Sequence, residues 1–159
     1  MHVRDVMTRD VRTCRPGDTL ERAARLFWEY DCGCAPVVDE SERVLGMLTD
    51  RDVCMAAYTR GKPLREIDVA GAMGNGGRTV LTCSADDTIA TAESILRENQ
   101  VRRLPVTDSD GRLVGLLSLN DLACEARRER GQKKTAVSDA EVGETLAAIS
   151  EHRARHSPS

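Results

Sequence analysis

The chain contains an internal repeat, and this feature constrains its fold more than any other. When the sequence is shifted by 69 residues, residues 11–54 align with residues 80–123 without a gap, and fourteen of the 44 pairs are identical. The identical pairs include Cys14/Cys83, Asp18/Asp87, Pro36/Pro105, Gly46/Gly115 and Asp52/Asp121. Two copies are too few for a solenoid. We therefore predict two half-modules about a pseudo-twofold axis, each burying the other's apolar face and neither very stable alone.

Both copies show the same order of predicted elements: a strand, a helix, two strands joined as a hairpin, and a second helix. Asp18 followed three residues later by Glu21 indicates the start of the first helix. The second helix is predicted to begin near Thr49 or Ser118. The fold class is therefore α+β, with two β-α-β-β-α repeats, each a small mixed sheet with two helices, and a helical C-terminal tail.

We place the first repeat at residues 1–60, a linker with the lead-in of the second repeat at 61–78, and the core of the second repeat at 79–124. Within the linker, the glycine-rich residues 74–77 predict a flexible loop.

The remaining residues, 125–159, form a charged, partly helical tail. Its basic start is predicted to end a helix at Gly131. Ser138 followed by Glu141 predicts a further helix, with Val142, Leu146 and Ile149 on its apolar side, that packs on the module or on a partner subunit. Residues 152–159 are expected to fray.

The net charge of −3 argues against a strongly basic nucleic-acid binder and against attraction to anionic membranes. No apolar run approaches the roughly 20 residues of a membrane span, and the first residues lack the apolar core of a signal peptide. We expect a cytoplasmic protein with no nucleic-acid or membrane partner.

The most specific motif is a hydroxyl residue followed three positions later by Asp, at a predicted strand-to-helix junction in each copy. It comprises Thr49 with Asp52 and Ser118 with Asp121. The first turn of a helix has free N–H donors for phosphate, and a carboxylate suits the paired hydroxyls of a ribose. The same pattern also serves simply to cap a helix. The sequence leaves both interpretations open.

A second candidate element precedes each proline of the repeats. In the second copy it carries Arg102 and Arg103, which point to opposite faces of an extended segment, so one could reach a phosphate in a cleft. Two solvated surface arginines are the equally weighted alternative. In the first copy the equivalent segment ends in Cys34 and Ala35 and has no positive charge. If both clefts bind anions, the second should bind them better.

The chain resembles a pair of cystathionine-β-synthase (CBS) domains, also called a Bateman module, of the small stand-alone bacterial type. The resemblance rests on the tandem repeat and on residues 35–39, 46–52, 101–106 and 115–121. The resemblance implies two clefts between the repeats that bind AMP, ADP, ATP or S-adenosylmethionine. It places Thr49 and Ser118 near phosphate and Asp52 and Asp121 on ribose.

The resemblance further implies that Cys34, Ala35, Arg102 and Arg103 line the base or phosphate region. Asn120, beside Asp121, completes the candidate ligand-binding residues. We expect a homodimer that requires no cofactor and acts on an effector protein that the sequence does not identify.

Six cysteines raise the question of a metal or redox site. Cys32-Gly33-Cys34 supplies two ligands, whereas a tetrahedral zinc site needs four, and all three histidines lie near the termini. The repeat equivalents Cys14 and Cys83 are expected to pack in the core or a cleft. We therefore expect no metal site. We also expect no catalytic activity, because no candidate nucleophile has an evident partner base. The alternatives are an interaction or stress-response protein with empty clefts and, less favoured, a cysteine-based metal or redox site.

Overall fold

The two copies fold alike in the computed structural model, which describes residues 1–73, 80–130 and 135–151. After α1 (Val3–Val6), the first repeat contains α2 (Leu20–Glu29), β1 (Cys34–Val38), β2 (Val44–Thr49) and α3 (Asp50–Arg60). Two short 3-10 turns follow, Leu64–Glu66 and Val69–Gly71. The second repeat contains β3 (Cys83–Ser84), α4 (Ile89–Asn99), β4 (Arg103–Thr107), β5 (Leu113–Ser118) and α5 (Leu119–Glu129), and the tail forms α6 (Asp139–Ser150).

The predicted hairpins are confirmed. β1 pairs with β2, and β4 with β5, both antiparallel, with Ala35 opposite Leu48 and Leu104 opposite Leu117. Each hairpin shifts register at the equivalent place, after Val37 and after Val106. The strand that opens each repeat is short: β3 runs parallel to β4, whereas in the first repeat it is a single bridge from Cys14 to Val37.

The predicted helix start at Asp18 is wrong by one residue. Thr19 caps α2, because its hydroxyl oxygen accepts a hydrogen bond from the Arg22 N–H at 3.3 Å. Thr88 caps α4 in the equivalent way. The Asp18 carboxylate instead accepts from the N–H of Arg15 at 2.8 Å and closes the preceding turn.

The pseudo-twofold axis passes between the two hairpin turns. Arg43 forms an antiparallel bridge with Arg112, its own equivalent in the other repeat. Hydrogen bonds from Leu113 N–H to Glu42 O (2.9 Å) and from Val44 N–H to Gly111 O (3.3 Å) join the turns. A residue can pair with its own equivalent only where the axis runs between them.

The segments that precede the aligned residues of the two repeats, which we call the first and second lead-ins (residues 1–10 and 61–73), cross over between the repeats. Val3 of α1 is fully buried in the core of the second repeat, among residues such as Ile89 and Leu117. Ile67 and Val69 are buried in the core of the first repeat. Each core is therefore completed by a segment from outside its own repeat, which agrees with the expectation that neither half is very stable alone.

The tail helix α6 begins with the predicted cap at Ser138 and packs against α4 and α5. Val142 and Ile149 contact the core of the second repeat, but Leu146, expected on the same apolar side, is 47% exposed. The neighbouring Thr145 is fully buried instead of Leu146. Predictions for residues 74–77, Gly131 and 152–159 lie outside the described residues. Nowhere in the described ranges does a helix combine the length and apolar character that a membrane span requires.

Candidate functional site

The Thr49 motif forms the junction between β2 and α3. The Thr49 hydroxyl oxygen accepts a hydrogen bond from the Asp52 N–H at 3.2 Å, and one Asp52 carboxylate oxygen (Oδ2) accepts from the Thr49 N–H and hydroxyl, both at 2.8 Å. This is a complete capping box. In the described part of the chain, no hydrogen bond reaches the other oxygen of Asp52, Oδ1.

The Ser118 motif repeats this geometry between β5 and α5. Asp121 Oδ2 accepts from the Ser118 N–H at 2.8 Å and from its hydroxyl at 2.6 Å. The second oxygen, Asp121 Oδ1, accepts from the hydroxyl of Thr8 at 3.3 Å. Thr8 comes from the lead-in that crosses over, and it also pairs with Leu116 through two backbone hydrogen bonds of 2.9 Å.

Most first-turn donors that were expected to attract phosphate are already bonded. The N–H groups of Asp50 and Leu119, each the first helical residue, donate to the carbonyls of Gly33 (3.1 Å) and Arg102 (3.0 Å). The third N–H of each helix donates within the capping box. At the second position, the Arg51 N–H donates to Asp50, whereas we find no acceptor for the Asn120 N–H among the described residues.

The segments before the two prolines approach each other across the module. Arg103 and Arg102 are both exposed. The Arg103 charge acts on the thiols of Cys32 and Cys34 in the opposite repeat. Burial raises the pKa of Cys34, and the nearby Arg103 guanidinium opposes that rise. The arginine expected to serve the second repeat therefore lies beside the uncharged segment of the first.

The other predicted residue of this segment lies deeper. Ala35 is fully buried and belongs to the core of the first repeat. Cys34 is 7% exposed. At this segment the first repeat therefore contributes a small, nearly closed surface, and the second repeat contributes long cationic side chains.

Three of the six cysteines, Cys14, Cys34 and Cys83, are buried. Burial raises the pKa of Cys14 to about 11 and that of Cys83 to about 12, so both thiols stay protonated at neutral pH. Cys54 and Cys124 are exposed. Across residues 1–73, 80–130 and 135–151, no three His, Cys, Asp or Glu side chains lie close enough together to hold a metal ion.

One surface depression, of about 570 Å³, lies away from every predicted site residue. It is lined by Arg15, Pro16, Gly17, Asp39 and Glu40. Arg15 bonds to the Asp39 carbonyl and pairs with Glu42, so its charge is already compensated. The depression is open surface beside the hairpin turn, and we assign it no role.

Thr8 is a site residue that no motif in the sequence indicates. It directly follows Met7, which aligns with Met73 when the two copies are shifted by 66 residues and not by 69, and this alignment assigns Thr8 to the first repeat. No linear pattern reveals that the lead-in crosses to the second repeat and brings a hydroxyl to Asp121.

A family model for the CBS domain matches residues 3–58 and 77–126. The CBS domain-containing protein YhcV of Bacillus subtilis is 32% identical over 121 residues, 76% of this chain and 82% of YhcV. Hypoxic response protein 1 of Mycobacterium tuberculosis is 32% identical over 120 residues, 76% of this chain and 81% of that protein.

Solved structures show the same fold. The crystal structure of Hypoxic Response Protein I with two coordinated zinc ions has a TM-score of 0.70 at 29% identity, covering 78% of this chain and 98% of that one. CBSX2 in complex with AMP has a TM-score of 0.67 at 26% identity, covering 80% of this chain and 96% of that one. The repeat, the crossed lead-ins and these matches agree: the chain belongs to the CBS domain family and consists of two CBS domains in tandem with a helical tail.

Proposed function

We propose that the chain is a regulatory module without catalytic activity that binds an adenosine ligand, AMP, ADP, ATP or S-adenosylmethionine, in the clefts between its CBS domains. One observation carries the proposal: two equivalent strand-to-helix junctions each present a hydroxyl and an aspartate. In both, one carboxylate oxygen closes the cap. The other is either unbonded within the described residues, at Asp52, or held by a single 3.3 Å bond, at Asp121. A ribose hydroxyl can donate to that oxygen without breaking the cap.

The remaining candidate residues have distinct roles in this proposal. Arg102 and Arg103 provide exposed positive charge for phosphate, and the Asn120 N–H provides a donor at the positive end of α5. Thr49 and Ser118 would turn their hydroxyls from Asp52 and Asp121 toward phosphate. Cys34 would contact the base, with Ala35 behind it in the core, and no aromatic ring would stack on the base, since Phe27, the chain's one buried aromatic residue, lies in the core.

Regulation would follow from differential binding. A ligand that contacts both CBS domains favours the arrangement in which the two clefts fit it best, and thereby one affinity for an effector protein. We include in the proposal that the module acts as a homodimer in the cytoplasm. The solved structure of CBSX2 with AMP supports the ligand class at the level of the family.

Isothermal titration calorimetry with the four ligands tests the proposal. We expect at least one to bind below millimolar concentration, and Asp121→Ala to weaken it at least about tenfold, because a charged acceptor is lost. Glu141→Ala is the matched control. Glu141 closes an equivalent capping box with Ser138 in α6, outside the clefts, so both variants lose a similar cap of about 1 kcal/mol.

Absence of binding by all four ligands at millimolar concentration would overturn the proposal and favour an interaction protein with empty clefts. Equal affinities for Asp121→Ala and the wild type would move the site elsewhere. Zinc analysis of untagged protein addresses the cysteine-based alternative: less than about a tenth of an equivalent per chain removes it.

A further inference from the structure

The two strand-to-helix junctions share a backbone contact but place different charges beside it. In the first repeat, the Asp50 N–H donates to the carbonyl of Gly33, and in the second, the Leu119 N–H donates to the carbonyl of Arg102. Gly33 is equivalent to Arg102, and Asp50 to Leu119, under the shift of 69 residues. At this contact the first repeat therefore carries a carboxylate and no guanidinium, whereas the second carries a guanidinium and no carboxylate.

The Asp50 carboxylate lies against the segment that precedes the proline of the first repeat. Its Oδ1 atom accepts a hydrogen bond from the Arg51 N–H at 2.7 Å. A Cβ atom added at Gly33 would lie 3.2 Å from its Oδ2 atom. Its charge also acts on the thiol of Cys34, one of the residues assigned to the base or phosphate region. The carboxylate is thus at the edge of the first candidate site.

Neighbouring side chains enlarge the difference between the junctions. The charge of Asp31 acts on the Cys32 thiol, and the equivalent of Asp31 is the uncharged Gln100. Arg51 is exposed and partly offsets the two aspartates. Residues 31–34 and 50–51 of the first repeat carry a formal charge of −1, whereas the equivalent residues 100–103 and 119–120 carry +2.

Arg103 does not distinguish the two junctions. Its charge acts on Cys32 and Cys34 across the module, so it lies close to the segment of the first repeat although it belongs to the second. Asp50 and Arg102, whose equivalents carry no charge of their own, are therefore the groups that make the junctions unequal.

Both junctions retain the aspartate that the proposed function assigns to ribose. Asp52 and Asp121 close the same capping box at equivalent places. The two sites consequently offer the same acceptor to a nucleoside, and they differ in the charge that meets the group attached to its ribose.

This charge favours a different adenosine ligand at each junction. A phosphate monoester carries a charge of about −2 at neutral pH, so a nearby carboxylate repels it and a guanidinium attracts it. S-adenosylmethionine instead attaches a sulfonium and an ammonium group, with one carboxylate, and has a net positive charge. The first junction suits this ligand, and the second suits a nucleotide.

We propose that Asp50 determines the ligand specificity of the first junction by excluding phosphate from it. S-adenosylmethionine then binds at the first junction, and AMP, ADP or ATP binds at the second, beside Arg102. The inference rests on the proposed function and divides its ligands between the two clefts. The module can then respond to both ligand classes without competition between them.

Calorimetric titration of the full-length chain with S-adenosylmethionine, with and without saturating AMP, tests this assignment. In the wild type, we expect AMP to change the dissociation constant of S-adenosylmethionine by less than about twofold, because the two ligands occupy different junctions. Arg102→Ala should raise the dissociation constant of AMP about tenfold, because a charged partner of the phosphate is lost.

Asp50→Asn removes the charge and retains an acceptor for the Arg51 N–H. AMP should then also enter the first junction, so that saturating AMP raises the apparent dissociation constant of S-adenosylmethionine at least about fivefold. This competition should weaken as salt decreases the affinity for AMP. Asp139→Asn is the matched control, because Asp139 directly follows the cap Ser138 of α6 as Asp50 follows Thr49, and it should behave like the wild type.

The possible failures are distinguishable. If neither ligand binds, the proposed function and this inference are both wrong. The inference alone is wrong if only one of the two ligands binds, if AMP displaces S-adenosylmethionine from the wild type, or if Asp50→Asn and Asp139→Asn give equal results. Asp50→Leu, which installs the residue of the second junction, is a second variant with the same expected outcome. Urea unfolding shows whether each variant is folded.

Discussion

The two CBS domains share caps, hairpins and register shifts, yet their outer helical surfaces differ. α6 covers α4 and α5 in the second domain, while the described structure leaves α2 and α3 open in the first. The identical residues of the repeat include helix caps and a turn residue, at Thr19, Asp52 and Asp39, and buried core positions such as Val37 and Leu48. The outward helix positions have diverged. The two domains therefore share what each fold needs internally and differ on their outer helical surfaces.

The crossed lead-ins modify this comparison, because neither domain is complete by itself. Val3 fills the core of the second domain, and Val69 fills the core of the first. The domains differ on their surfaces but depend on each other for their cores.

The largest expected effect tests that mutual dependence. Val3→Ala and Val69→Ala each remove two buried methyl groups, so each should lower the free energy of unfolding by about 2–3 kcal/mol. Urea unfolding measures the loss. Hydrogen exchange should show that amide protection falls in the domain whose core the residue fills. This is the second domain for Val3→Ala and the first domain for Val69→Ala. If protection falls only near the substituted residue, the cores are not shared.

A second prediction concerns the close approach of the first lead-in to β5. A Cβ atom added at Gly115 would lie 2.5 Å from the Met7 sulfur and 3.0 Å from the Thr8 carbonyl oxygen. The methionine can move but the backbone cannot move easily, so Gly115→Ala should cost about 1–3 kcal/mol in thermal or urea unfolding.

Gly17→Ala is the control for this substitution, because nothing lies within 4 Å of its added Cβ. It should change stability by less than about 0.5 kcal/mol. Equal effects of the two substitutions would contradict the close packing of the lead-in on β5.

The smallest expected effect concerns the packing of α6 against α4. Burial raises the pKa of Glu93, and the nearby Glu141 carboxylate raises it further, while Arg97 and the Thr145 hydroxyl oppose the rise. Neither Glu93 Oε1 nor the Thr145 hydroxyl makes a hydrogen bond of good geometry among the described residues. The charged carboxylate is therefore unfavourable in the folded state.

The sign of the pH dependence follows directly. A carboxyl whose pKa is raised by folding stabilises the fold below its ordinary pKa of 4.5, and that contribution is lost as pH rises through the folded value. Glu93→Gln should be more stable than the wild type at pH 8, with the difference vanishing near pH 4. Thermal unfolding across this range measures it. Glu98→Gln, exposed on α4, should follow the wild type, and the same trend in both variants would refute a specific role for Glu93.

Much of the candidate site was readable from the sequence because it depends on local spacing. The hydroxyl and the aspartate three residues later form the predicted junctions at Thr49 and Ser118, and the capping interpretation is realised in both. The ligand-binding interpretation remains a prediction for calorimetry. Thr8 could not be found in this way, because its contact with Asp121 joins residues 113 positions apart.

The two repeats, their order of strands and helices, the hairpins and the helical tail can all be predicted from the amino-acid sequence, since each follows from periodicity, turn residues and caps within a few positions. Three arrangements depend on how the halves pack: the lead-ins cross, Arg103 lies near the first domain's Cys32 and Cys34, and α6 covers α4 and α5 but leaves α2 and α3 open in the described structure. These arrangements depend on which apolar surfaces meet when the halves pack together. Burial is a property of the assembled fold, so a periodic pattern such as that of Leu146 with Val142 and Ile149 marks candidates for burial but does not say which of them the fold covers.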